Sequence, residues 1–325
     1  MLTYEKLKTK PKELLSATGL TVEEFEQLLP AFAAAYEAKF GADKTVAGLP
    51  RQRRSGGGVK GKLQQIEDKL LFILVYQKTY PLQTMQGLHF ELSQPQANEW
   101  IHRLLPVLQE ALADLGMKPE RDAAQLAASE TVQAEPADWL VDGSERRRQR
   151  PKDKVKQKEH YSGKKKAHTD KNLLLVNSQT KRILYLSRTE PGKTHDKKVA
   201  DHEGITYPTG ATLGKDTGFQ GYEPPGVVTA QPKKKPRGGV LAAEDVFLNH
   251  IISGFRIQVE HAIAGVKRCR ILKDTFRNLK EGFSDLVMEV ACGLHNLRVA
   301  CRHPLPSLNL LDLCTYPLFP IMSNM

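Results

Sequence analysis

Three acidic residues that are far apart in the sequence could together form a metal-dependent site. Asp142 follows the apolar run WLV, Asp216 follows ATLGK, and Glu260 lies in the helical segment RIQVEHAIAGVKRCR. Carboxylates at the carboxyl ends of neighbouring strands in an open α/β sheet point into the crevice where ligands bind. Each aspartate taken alone is more often the cap of a turn than a catalytic group. The three acids together favour a shared site.

The helical segment indicates how the glutamate can reach such a site. At 100° per residue, Arg256, Glu260 and Lys267 lie within about 40° of one another, and the apolar stripe is centred about 110° away. The charged face therefore borders the buried face. We expect the two cations to keep the glutamate ionised and to contact DNA phosphates. The alternative is a solvated helix with ordinary ion pairs.

Three ionised carboxylates in one cleft repel one another, so the arrangement needs cations. Hard oxygen ligands with room for water and phosphate suit Mg²⁺, with Mn²⁺ as a substitute. Two such ions about 3.5–4 Å apart can activate a nucleophile and stabilise the leaving oxygen of an in-line phosphoryl displacement. The sequence therefore predicts that Asp142, Asp216 and Glu260 are both the catalytic and the metal-binding residues, with two Mg²⁺ ions as cofactor.

The charge of the chain favours a polyanionic partner. It has 48 Lys and Arg against 37 Asp and Glu, a formal net charge of +11, which suits nucleic acid better than a membrane. Residues 146–166 contain eleven Lys and Arg and two acids, and we expect Arg146, Lys164 and Lys165 to contact DNA. A second basic cluster is KKKPR at 233–237. The alternative is a basic protein whose charge only aids solubility.

Residues 65–112 have the pattern of a helix, a short helix and a longer helix. The last one opens with a capping serine, Ser93, and a proline. This layout predicts a helix-turn-helix in which Gln94, Gln96 and Asn98 face a major groove. Three apolar residues, Leu82, Met85 and Leu88, are expected to seat the short helix. The alternative is a three-helix bundle that only packs.

A cationic, glycine-rich stretch, RQRRSGGGVKGK at 51–62, precedes these helices. We expect Arg53 and Arg54 to follow phosphates or enter a minor groove as a basic arm. The alternative is a plain solvated linker.

The order of elements predicts an α+β or α/β chain. Residues 1–115 form a helical helix-turn-helix domain, and 116–137, which lack an apolar period, form a linker. Residues 138–302 follow the order β-β-β-α-β-β-α, which indicates a ribonuclease-H-like mixed five-stranded sheet with flanking helices. Residues 303–325 form a C-terminal tail.

Several classes of protein are disfavoured. No apolar run approaches the roughly 20 residues of a membrane span, and no secretory signal is visible. The four cysteines are scattered and read as reduced thiols. Cys292 with His295 could begin a metal site, but a core thiol is favoured because no second close pair exists. We therefore expect a cytoplasmic protein that does not bind membranes.

At this point the chain resembles the DDE transposases of bacterial insertion sequences, in the insertion-sequence-five branch related to the Harbinger transposases. The similar stretches span roughly residues 15–302; they are VDGSERRRQRP, YSGKKKAHTDKN, KTHDKK, LGKDTGFQGY and RIQVEHAIAGVKRCRIL, the last with R-x3-E-x6-K at Arg256, Glu260 and Lys267. The chain departs from the family pattern in two places. Ser253 stands where the signature has a tyrosine, and ERRRQRP is more basic than the usual form.

The resemblance implies a bacterial, nucleoid-associated enzyme that acts on double-stranded DNA. It would cleave the terminal inverted repeats of its own element and transfer the freed 3′-hydroxyl ends into a target site. Asp142, Asp216 and Glu260 would be the metal-binding triad, and a homodimer or larger assembly would join two ends. His195 and Asp196 match a family motif without a catalytic role assigned to them. The alternatives are a host-retained DNA-binding regulator and a ribonuclease-H-like nuclease without transposition.

Overall fold

The structure is a computed structural model that describes residues 1–41, 43–45, 49–52, 61–133, 137–236 and 238–302. The predicted basic arm with Arg53 and Arg54 and the predicted tail at 303–325 lie outside the described residues.

Helices and strands are numbered separately along the chain. The helices are α1 (Tyr4–Lys8), α2 (Pro11–Thr18), α3 (Val22–Phe40), α4 (Ile66–Thr79), α5 (Gln83–Phe90), α6 (Gln94–Asp114), α7 (Glu130–Gln133), α8 (Lys154–His160), α9 (Asp196–Glu203), α10 (Ala243–Val266), α11 (Arg270–Lys273) and α12 (Phe283–Arg302). The strands are β1 (Asp138–Arg147), β2 (Tyr161–Ser162), β3 (Ala167–Asn177), β4 (Ile183–Leu186), β5 (Glu190–Pro191), β6 (Thr212–Gly214) and β7 (Val228–Ala230). Short 3₁₀ turns cover Leu126–Ala128 and Thr217–Phe219.

The described chain divides into two compact units. A helical unit comprises Met1–Pro119, Arg146–Asp170 and Ala264–Arg302, and a sheet unit comprises Glu120–Glu145 and Lys171–Ile263. The chain passes between them several times, so neither unit is one continuous segment. The domain bounds expected from the sequence stay predictions.

The sheet unit is built on the strand order β4-β3-β1-β6-β7. β3 and β4 form an antiparallel hairpin, whereas β6 is parallel to both β1 and β7. These are the five strands that the sequence predicts. Two short strands, β2 and β5, also pair with β3, so the described sheet has seven strands. Alternate residues of the strands, among them Trp139, Leu175 and Leu213, point into one buried apolar core.

Part of the predicted linker, residues 116–137, contacts the sheet unit. The amide of Glu120 donates to the carbonyl of Leu184 (2.8 Å), and the Glu120 carbonyl accepts from Leu186 (3.0 Å), so this segment extends the edge of the sheet. Leu126 and Val132 are buried in the core of the sheet unit. The boundary between the two units falls at Pro119–Glu120, inside the predicted linker, which stays a prediction. Two isolated apolar residues show no period in the sequence, yet both fill core positions.

The three helices α4, α5 and α6 of the helical unit occupy the segment predicted to be a helix-turn-helix. α6 begins with a capping box, in which Ser93 accepts from the Gln96 amide and Gln96 Oε1 accepts from the Ser93 amide. The prediction for the short helix is wrong: Leu82 and Leu88 are 59% and 66% exposed, and Met85 is also exposed. The helix is seated instead through Gln86, Gly87 and Phe90.

Gln86 and Gly87 show why α5 adopts this orientation. The side-chain Nε2 of Gln86 donates a hydrogen bond to the backbone carbonyl of Phe72 on α4 at 2.8 Å. A Cβ on Gly87 would lie 2.5 Å from the Leu92 carbonyl oxygen, so the short helix approaches the chain that leads into α6 too closely for any larger residue. A polar anchor and a close backbone approach therefore help to fix the helix, and Leu82, Met85 and Leu88 remain on the surface.

The last helix packs within the helical unit. Gln109 on α6 donates to Glu289 on α12 (3.0 Å), and Asn296 donates to the Met117 carbonyl (2.9 Å). Leu112 packs so closely on Gly293 that a Cβ there would lie 3.0 Å from its Cδ1. The N-terminal helices and the C-terminal helix therefore share one core. Within the described ranges, no helix is both long and apolar enough to cross a membrane.

Candidate active site

Two of the predicted catalytic residues lie side by side because of the strand register. β1 pairs in parallel with β6, with Leu140 opposite Gly214. Asp142 lies two residues beyond Leu140, and Asp216 lies two residues beyond Gly214. Parallel strands that leave their pairing at the same point project the next residues from the same edge of the sheet. β1 does not end at Asp142, as the sequence suggests, but continues to Arg147.

The carboxylate of Asp142 is poorly solvated. It accepts a hydrogen bond from the Gly143 amide at 2.7 Å. The pKa of Asp142 is raised from 3.8 to about 6, chiefly by burial; the nearby Asp216 and Asp196 contribute to the rise, whereas the Gly143 amide and Arg256 oppose it. The negative charge at this position is therefore only partly balanced by the surrounding protein.

Asp216 shapes the turn that follows β6. It caps the 3₁₀ turn Thr217–Phe219, and its Oδ1 accepts from the Gly218 amide at 2.7 Å. This hydrogen bond fixes one carboxylate oxygen against the backbone. The second oxygen, Oδ2, lies 3.7 Å from Nη2 of Arg256.

The third predicted residue approaches from α10. Arg256 Nη2 is 4.0 Å from Glu260 Oε1, one helical turn further along, as well as 3.7 Å from Asp216 Oδ2. One guanidinium group therefore lies between these two carboxylates. The Glu260 side chain is 61% exposed, so it can change rotamer at little cost. Lys267 lies in a turn just after the end of α10 at Val266. The regular helix therefore carries Arg256 and Glu260 but not Lys267, contrary to the prediction.

The donor set suits a hard divalent cation, although the carboxylates do not form a closed ligand cluster. Among the residues that the structure describes, no group of three His, Cys, Asp or Glu side chains is close enough to hold a metal ion, because Arg256 separates Asp216 from Glu260. Burial is the main cause of the raised pKa of Asp142, and the nearby carboxylates of Asp216 and Asp196 add to it. Carboxylate oxygens in such a setting are the ligands that Mg²⁺ and Mn²⁺ prefer.

Two charged residues that sequence reasoning left out of the site lie at the same edge. Lys171 on β3 is buried, and its Nζ lies 2.8 Å from Asp196 Oδ1. Asp196, the first residue of α9, contributes to the raised pKa of Asp142. The one available signal was the match of KTHDKK to the family pattern, since nothing in the sequence relates Asp196 to Lys171.

The proposed DNA-contacting residues occupy different surroundings. Arg146 is 3% exposed and donates to the Ser284 carbonyl at 2.9 Å, so we no longer assign it a contact with DNA. Lys164 and Lys165 are exposed on the turn between β2 and β3. Arg148, which was not singled out, is held with His160 on the buried Asp170, at 2.8 and 3.0 Å.

Asp170 anchors this basic segment as an ionised group. Burial opposes its ionisation, but a hydrogen bond from His160 and the charges of Arg148 and Arg146 together lower the pKa of Asp170 below 3.8. The segment that carries α8 and the β2–β3 turn is thus fixed at its base, while the lysines at its tip face solvent.

The N-terminal end of α6 borders a cavity of about 640 Å³. Gln94 and Asn98 line it, and Gln94 Nε2 donates to Gln83 Oε1 at 2.5 Å. Gln96 is exposed, but its side-chain oxygen is engaged in the capping box. Arg277 also lines the cavity; it lies 4.1 Å over the Tyr80 ring and donates to the Tyr80 carbonyl at 2.7 Å. A concave surface of mixed polar and apolar side chains therefore surrounds two of the three predicted reading residues.

Comparisons with known proteins agree with this organisation. A family model described as "DDE superfamily endonuclease" matches residues 141–296, and one described as "Helix-turn-helix of DDE superfamily endonuclease" matches residues 61–114. The "Probable transposase for insertion sequence element IS702" of Microchaete diplosiphon is 26% identical over 237 residues, which cover 73% of this chain and 82% of the relative. No solved structure matches the chain.

The two family matches coincide with the elements described above. The first begins at Val141, directly before Asp142, and includes Asp216 and Glu260. The second covers α4, α5 and α6. The chain therefore resembles the DDE superfamily endonucleases in both regions, and it is similar to a probable transposase of an insertion sequence.

Proposed function

We propose that this protein cleaves DNA at the ends of its own insertion sequence and joins the freed 3′-hydroxyl ends to target DNA, with Mg²⁺ as cofactor. The observation that carries the proposal is the equal offset of Asp142 and Asp216 beyond the paired residues Leu140 and Gly214. Such an offset brings two carboxylates to one edge, where Arg256 links the second of them to Glu260.

In this proposal Asp142 and Asp216 bind the metal directly, and Glu260 completes the set. The bound Mg²⁺ would polarise the scissile phosphodiester and lower the pKa of the attacking water or hydroxyl. Glu260 needs only a rotamer change to leave Arg256, because its side chain is largely exposed. Arg256, once released, can donate to a phosphate oxygen of the substrate.

The helical unit supplies the contacts with double-stranded DNA in this proposal. Gln94 and Asn98, at the start of α6, would read bases of the terminal inverted repeats, while Gln96 supports the cap. The exposed Lys164 and Lys165 would contact phosphates. Lys267 keeps its proposed phosphate contact. Arg53 and Arg54, outside the described residues, keep their proposed role as a basic arm.

Joining two ends of an element requires two active sites, and we therefore propose that a homodimer or a larger assembly forms on DNA in the bacterial nucleoid. The test uses purified protein, a linear DNA that carries the inverted repeats flanking the gene, a supercoiled target plasmid and Mg²⁺. We expect joined products whose formation requires both the repeats and the metal. Cleavage that ignores the repeats would indicate a nuclease without transposition, and binding of the repeats without any cleavage would indicate a regulator.

A further inference from the structure

An ion pair between the buried Lys171 and the half-buried Asp196 lies next to the candidate site. Lys171 Nζ is 2.8 Å from Asp196 Oδ1, 2.6 Å from the carbonyl of Thr194 and 3.6 Å from Glu145 Oε1. The lysine is only 6% exposed, and a buried ammonium group is tolerated only when partners satisfy it. β3 therefore holds the first residue of α9 in one place.

The Asp196 carboxylate contacts both catalytic segments. A Cβ placed on Gly143, next to Asp142, would lie 2.7 Å from Asp196 Oδ1. A Cβ on Gly218, two residues after Asp216, would lie 3.4 Å from Asp196 Oδ2. The Asp196 side chain thus occupies the space that these two glycines leave open.

The backbone does not require glycine at either position. Neither Gly143 nor Gly218 has a positive φ, in contrast to several other glycines of the chain. Any residue could adopt their conformations, so the need for glycine comes from the neighbouring side chains. At Gly143 the neighbour is Asp196; at Gly218 the nearest atom is Asp216 Oδ1, 2.8 Å from a Cβ placed there, and Asp196 Oδ2 lies at van der Waals distance. The two glycines and the aspartate therefore form one packed contact between the edge of the sheet and the start of α9.

We propose that Asp196, anchored by Lys171, is a positioning residue that fixes the spacing between Asp142 and Asp216 through its contacts with Gly143 and Gly218. The proposal rests on the metal-binding role proposed above for the two aspartates. Asp196 itself is not assigned to the metal, because its Oδ1 is already bound by the lysine. What positions the aspartates is the shape and hydrogen bonding of its side chain.

The test measures Mn²⁺ binding to the full-length protein by electron paramagnetic resonance, alongside the thermal unfolding midpoint of each variant. Gly143→Ala changes no charge but forces Asp196 to move, and we expect Mn²⁺ affinity to fall about 10- to 100-fold, as it does for groups that support metal ligands. The Mn²⁺ affinity of Asp196→Ala should fall by the same factor. Asp196→Asn keeps the shape and an oxygen that accepts from Lys171, so its affinity should stay within about 3-fold of the wild type.

Gly254→Ala is the matched control, because a Cβ there meets nothing within 4 Å; its affinity should equal that of the wild type. If Asp196→Ala does not fold, the Mn²⁺ affinities of Gly143→Ala and Asp196→Asn still test the positioning role. Wild-type affinity in Gly143→Ala, while Asp142→Asn abolishes binding, would overturn the positioning role and leave the proposed metal site standing. If Asp196→Asn loses as much Mn²⁺ affinity as Asp142→Asn, Asp196 is itself a metal ligand, and the positioning role is also overturned. If Asp142→Asn binds Mn²⁺ like the wild type, the proposed metal site fails, and this role fails with it.

Discussion

At the scale of single residues, Asp142 illustrates the conflict between folding and function at a metal site. Its carboxylate is held where burial and two neighbouring acids disfavour ionisation. The same crowding of negative charge favours a divalent cation. A divalent cation bound at the proposed site would relieve this unfavourable environment of the ionised carboxylate.

This conflict predicts a pH-dependent change in stability. Because the pKa of Asp142 is raised in the folded state, folding favours its protonated form, and its ionisation weakens the fold. The loss of stability caused by ionised Asp142 is absent below about pH 4, grows as the pH rises to about 6 and then stays constant. Asp142→Asn should therefore stabilise the metal-free protein relative to the wild type by up to about 3 kcal/mol above pH 6. Urea unfolding in the presence of a chelator, at pH 4 and at pH 8, measures this difference.

The exposed Asp201, which pairs with Lys197 one turn away, provides the control. Asp201→Asn should show no comparable gain at pH 8. An equal difference between Asp142→Asn and the wild type at both pH values would contradict the assigned environment of Asp142.

Some residues could be placed from the sequence and others could not. Asp142 and Asp216 follow apolar runs, so their positions at the sheet edge could be predicted. The Lys171–Asp196 pair joins residues on different elements, and no spacing along the chain indicates it. Arg146 was misassigned because a cluster of arginines gives no sign of which member is buried.

At the scale of elements, the pattern of apolar residues predicts where strands lie better than it predicts which face of a helix is buried. The β3–β4 hairpin could be predicted because two apolar runs flank a polar turn. Leu82, Met85 and Leu88 read as a buried face, yet they remain exposed, and the helix is anchored through Gln86. α10 ends at Val266, and no glycine or proline follows directly; Gly265 lies inside the last turn, where it does not mark the end.

The segment before β1 gives a test at this scale. Leu126 is fully buried in the core of the sheet unit, so Leu126→Ala should lower the free energy of unfolding by about 2–5 kcal/mol. Gln125→Ala, at the exposed neighbouring position, should change it by less than about 0.5 kcal/mol. Chemical denaturation of both variants measures the effect, and equal stabilities would favour the linker interpretation.

At the scale of the whole molecule, the N-terminal helices serve folding as well as DNA binding. α12 packs against α6, where Gly293 lies against Leu112 and Glu289 accepts a hydrogen bond from Gln109. A fragment that begins at residue 116 loses this partner and exposes an apolar helix face.

We therefore expect the 116–325 fragment to aggregate or to lack a cooperative unfolding transition, which size-exclusion chromatography and calorimetry would show. A monomeric, cooperatively folded fragment would contradict the shared core. The reading of DNA ends is better tested by Gln94→Ala and Asn98→Ala in the full chain, because neither substitution removes a buried apolar contact.

The net charge of +11 predicts binding to DNA that weakens steeply with salt. The double variant Lys164→Gln/Lys165→Gln should reduce the slope of log K against log salt by about two, since each phosphate contact contributes about 0.9. The control, Lys8→Gln/Lys10→Gln, removes the same charge from lysines that already pair with Glu26 and Glu13. Fluorescence anisotropy between 50 and 300 mM salt, about the usual range, measures the slopes; an unchanged slope in the first variant would remove the β2–β3 turn from the DNA surface.

The central claim is that three acidic side chains act together on a phosphodiester. Single-turnover cleavage of DNA carrying the element's end, at saturating Mg²⁺, tests it most directly with Asp142→Asn, Asp216→Asn, Glu260→Gln and the surface control Asp201→Asn. We predict that each of the first three abolishes cleavage while end binding is retained, and that the control cleaves like the wild type. Wild-type cleavage by any of the three would contradict the claim.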